Sequence, residues 1–87
     1  MATTCTALIG RARAEAGDTA RVLAAELSDR GLMGLRLAVE DWALTVDGEE
    51  RTAVEAAVAY LVVRVGARRA GVLWEGGGRG WRGWASV

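Results

Sequence analysis

The 87-residue chain has no histidine, lysine, proline, phenylalanine, asparagine or glutamine. Losing histidine removes the commonest general base and the commonest metal ligand. Cys5 is the only cysteine, so an intramolecular disulfide and a multi-cysteine metal cluster are both out of reach. No histidine stands ready to activate that thiol, so Cys5 is not expected to be a nucleophile. The acids gather as Glu40-Asp41 and Asp47, Glu49, Glu50, without the spacing of a calcium loop. No catalytic residue, cofactor or metal is therefore expected, and the chain does not read as an enzyme.

Long apolar runs are also missing. The most apolar stretch, Ala56 to Val63, is eight residues between Glu55 and Arg64, far short of the ~20 that span a bilayer. The N-terminus lacks the early positive charge and long apolar core of a secretory signal. A cytoplasmic location is the expectation.

Eleven arginines balance eleven acids. The balance is uneven along the chain: residues 1–63 carry six Arg and ten acids, residues 64–87 five Arg and one acid. A positive end of this kind suits an anionic partner, or the acidic remainder of the same chain.

Helical spacing organises the front. Leu8, Ile9, Ala12, Ala16, Ala20, Leu23 and Leu27 share one arc of a helix running from about Thr6 to Arg30. The stripe stays in register across Gly17, and Gly31 sits where a left-handed C-terminal cap belongs. A second segment, Leu32 to Val46, fits a helix through Leu32, Leu35, Val39, Trp42 and Val46. It also alternates like two strands through Leu35, Leu37, Val39 and then Trp42, Leu44, Val46. Good helix formers and the absence of Gly or Asn at Glu40-Asp41 favour the helix. A third helix is predicted from Gly48 to Arg69, with Asp47 and Glu50 as a capping box and Gly71 just beyond it. Val54, Ala57, Val58, Leu61, Val62 and Val65 form its core stripe, and Ala56, Ala59, Tyr60 and Val63 a second apolar side.

The sequence thus predicts an all-α fold, a small three-helix bundle over residues 1–71. Residues 72–87 form a flexible tail rich in Gly and Trp, since ordering so many glycines is costly in entropy. The alternative is an α+β fold with a hairpin at 35–46 that Val72–Trp74 joins.

Two other helices cannot cover an apolar rod on every side. The function expected is therefore protein–protein interaction, in particular a homodimer or other self-association through the third helix, with Ala56, Ala59, Tyr60 and Val63 at the interface. A second reading uses the tail. Arg79 and Arg82 would meet phosphate, and Trp81 and Trp84 would stack on unpaired bases of single-stranded nucleic acid. The stretch Gly76 to Gly80 is no phosphate-binding loop, since no Lys-Ser/Thr follows it. A helical front with a short Gly/Trp end also resembles the layout of ribosomally made peptide precursors, which implies a recognised leader and a modified tail.

Overall fold

The computed structural model describes residues 16–40, 43–78 and 80–86. In chain order it holds α1 (Ala16–Asp29), β1 (Arg36–Glu40), β2 (Ala43–Gly48), α2 (Arg51–Val65), β3 (Arg69–Glu75), a short 3-10 turn (Gly76–Gly78) and β4 (Gly80–Ser86). The four strands form one antiparallel sheet in the order β1-β2-β4-β3. The chain is therefore α+β, and the expected three-helix bundle with a flexible tail is wrong. The α+β alternative comes nearer, although β3 reaches the hairpin only through β4.

The three expected helices fare differently. The first is present as α1, which runs through Gly17; Leu8, Ile9 and Ala12 lie outside the described residues. Leu23 and Leu27 are buried as the stripe requires. Gly31 closes α1 at φ 80°. Its N–H donates to the Ser28 carbonyl (2.9 Å), and the Leu32 N–H to that of Leu27 (2.9 Å). This is a Schellman cap.

The second expected helix is a hairpin. Leu37 faces Val46 and Val39 faces Leu44 across the ladder, so the period-2 pattern puts these apolar side chains on one face. Burial of that face outweighs the helix propensity of Leu, Ala and Arg, which is a small effect per residue. Glu40 pairs with Ala43, and the two residues between them, Asp41 and Trp42, lie outside the described residues.

The third helix is shorter than predicted at both ends. Glu50 is its N-cap residue, with no side-chain capping bond. Asp47 lies in β2 and binds Arg82 instead. At the other end Gly66 takes a left-handed conformation at φ 65°, with its N–H on the Val62 carbonyl. Beyond it, Arg68 and Arg69 lead into β3.

The tail is the largest correction. β4 lies between β2 and β3, so β2, α2 and β3 make a β-α-β crossover split by a strand from later in the chain. Gly83 of β4 and Gly71 of β3 are sites of close approach. A Cβ at Gly83 would press into Val58 and reach Val54 at 3.0 Å. One at Gly71 would run into the Trp84 ring.

Both helices pack on one side of the sheet. Leu23 and Leu27 of α1 join Val54, Ala57, Val58, Leu61 and Val65 of α2 over Leu44, Val46 and Ala85. The residues of the opposite face, read from the register, include Arg36, Ala38, Thr45, Asp47, Arg69, Leu73, Glu75, Arg82 and Trp84. No layer covers that face among the described residues.

Candidate interaction surfaces

The outer side of α2 is the first surface. Ala56, Ala59, Tyr60 and Val63 do come together there, beside Glu26, Asp29, Arg30 and Arg64, along an open groove between the two helices. Ala56 and Ala59 are exposed, and Val63 is 84% exposed. The C-terminal segment does not cover them: as β4 and β3 it packs against the opposite, buried face of α2.

One wall of the groove is a polar cluster. The Tyr60 hydroxyl donates to Glu26 Oε2, and Arg64 Nη2 lies 3.3 Å from Glu26 Oε1. The Arg30 guanidinium stacks 4.3 Å from the centre of the Tyr60 ring, a cation–π contact. Burial raises the Tyr60 pKa above its ordinary 10.0, and the Glu26 carboxylate raises it further as acceptor and as neighbouring charge.

The second surface is the β3 edge. β3 pairs with β4 on one side and ends the sheet on the other. Leu73 is 46% exposed and Trp74 54%, and they point to opposite faces. Trp74 packs edge-to-face on Trp81, with ring centres 5.3 Å apart. Trp81 also lies under the Arg51 guanidinium of α2, at 5.1 Å.

The third is the open sheet face. Arg82 Nε bridges two acids, Asp47 Oδ1 at 2.9 Å and Glu75 Oε2 at 3.3 Å. Trp84 lies over Gly71 and directly opposite Thr45. Thr45 is buried, and its hydroxyl donates to the Ala38 carbonyl at 3.3 Å.

Of the four residues assigned to nucleic acid, the three described ones do not share a face of the sheet. Trp81 belongs to the helix-covered face, and Arg82 and Trp84 to the open one. Arg79 lies outside the described residues. No cluster of three potential metal ligands occurs among the described residues, and no helix there is long and apolar enough to cross a membrane.

The sequence reading placed only Val72–Trp74 of this edge in a strand, and only in the α+β alternative, whereas the strand runs from Arg69 to Glu75. Its signal was present as seven residues from Arg69 to Glu75, opposite charges at the ends and Val-Leu-Trp within. A predicted helix running to Arg69 hid the first of them.

No known family model, curated protein or solved structure matches this chain.

Proposed function

We propose that this protein is a small protein–protein interaction module whose first partner is a second copy of itself. The observation that carries this reading is where the exposed apolar side chains stand. Val63, Leu73 and Trp74 are 84%, 46% and 54% exposed, and they sit on regular elements, α2 and β3. A side chain held on a rigid element loses little further entropy on docking. Aromatic anchors such as Trp74 are also enriched at binding hot spots.

Two seams are available: the α2 groove and the β3 edge. The groove offers the small residues Ala56 and Ala59 beside Val63, which suits close approach of another helix. Light scattering across a concentration series tests the reading. The expected mass at high micromolar concentration is twice the 9.2 kDa of one chain; a constant single-chain mass overturns it. Ala59→Arg places a charge in the groove. It dissociates an α2-mediated dimer and leaves an edge-mediated one intact.

The nucleic-acid reading has less support. Arg82 is held by two carboxylates, Trp81 packs against Trp74 and Arg51, and the open face carries acids beside its arginines. A sheet that binds single strands needs several aromatics and a basic track on one face.

A further inference from the structure

The geometry points to an antiparallel pairing of β3 with β3 of a second copy, on a two-fold axis through Val72, joining two four-stranded sheets into one of eight. This inference rests on the self-association proposed above and says where the seam lies and in which register.

An exposed edge strand presents a row of unpaired N–H and C=O groups, a template for another strand. Chains usually blunt such an edge with lysine, proline, a bulge or short length. β3 has none of these and carries charge only at its two ends, Arg69 and Glu75: it is seven residues long, RAGVLWE, and pairs without interruption with β4. The other edge, β1, is two residues shorter and bears no exposed large apolar side chain.

The charges select the register. Residues directly opposite in an antiparallel pair share a face. Centring the two-fold on Val72 sets Arg69 against Glu75 of the partner subunit, and Glu75 against Arg69 of the partner subunit. Both pairs lie on the open face. Sliding the axis to Gly71 or Leu73 leaves both arginines and both glutamates without their opposite charge. Size agrees with charge. Trp74 falls opposite Ala70 of the partner subunit, and Leu73 opposite Gly71 of the partner subunit. Since the Trp84 indole lies over Gly71, Leu73 of the partner subunit would extend that apolar patch. Such a pairing is isologous and closes at two chains.

The test is charge reversal read by light scattering on the full chain, with circular dichroism reporting the fold. Arg69→Glu alone sets like charges opposite each other twice, as does Glu75→Arg alone. Each should weaken association by about tenfold or more. An equimolar mixture of the two variants restores opposite charges at both positions and should regain a dimer containing one of each. A second measurement is independent of charge. Val72→Cys in a Cys5→Ser background should oxidise to a covalent dimer, because Cα atoms of directly paired strand residues lie about 4.5–5.5 Å apart, within disulfide reach. Leu73→Cys in the same background should not, because its symmetry mate is displaced by two residues along the strand.

A dimer unmoved by either reversal and uncrosslinked at position 72 overturns the pairing but leaves self-association standing. Loss of that dimer on Ala59→Arg would then place the seam on α2. A chain that stays single at every concentration overturns both. Assemblies that grow beyond two also overturn the pairing, because joining β3 to β1 head to tail does not close.

Discussion

Gly83 lies in the inner strand β4 beneath α2, where Val54 and Val58 leave no room for a methyl group. Gly83→Ala should therefore cost about 1–3 kcal/mol through overpacking, read as a lower denaturant midpoint. Tyr60 makes a different claim at the same scale. Its phenol is more protonated in the fold than in the unfolded chain, because burial and the Glu26 carboxylate disfavour the anion. A raised folded-state pKa means that stability from this group is whole below about pH 10 and declines as pH climbs toward the folded value. The chain has one tyrosine, so phenolate absorbance reads this site alone. Its midpoint should lie above that of the urea-unfolded chain and fall on Glu26→Gln. An unchanged midpoint would mean that Glu26 does not hold the hydroxyl.

The elements depend unequally on one another. β4 pairs with β3 along its whole length and with β2 from Trp81 to Ser86. A chain ending at Gly76 should lose cooperative unfolding, whereas a dispensable tail would leave the melt intact. The helices were legible where local chemistry fixes them: the α1 stripe with its Gly31 cap, and the buried side of α2. The hairpin was only half legible, because its apolar residues satisfy periods of 3.6 and 2 about equally. What decides is the face of α2 waiting above Val46 and Leu44, a contact no short window contains. β4 was misread for a similar reason. Gly80, Gly83, Trp81 and Trp84 look like loose chain until something occupies the space that the glycines leave open. That something is α2 above Gly83.

On the scale of the molecule, the candidate surfaces follow from one-sided covering. Two helices shield one face of four strands, leaving the groove side of α2, the β3 edge and the open face outside. That Ala56, Ala59, Tyr60 and Val63 share the outer side of α2 was legible because they are what remains of the helix once its core stripe is assigned. The edge was not, since a strand is terminal only by virtue of the sheet order. That order also governs assembly. The sheet's earlier hairpin, β1 with β2, and its later one, β3 with β4, can each form locally. They meet through a single ladder, from Gly48↔Trp81 to Ala43↔Ser86. A ribosome delivering the chain must therefore release nearly all of the later hairpin before the two can join. Until then β2 has a bare margin and α2 only half a floor, so the nascent protein is stickiest just before β4 arrives.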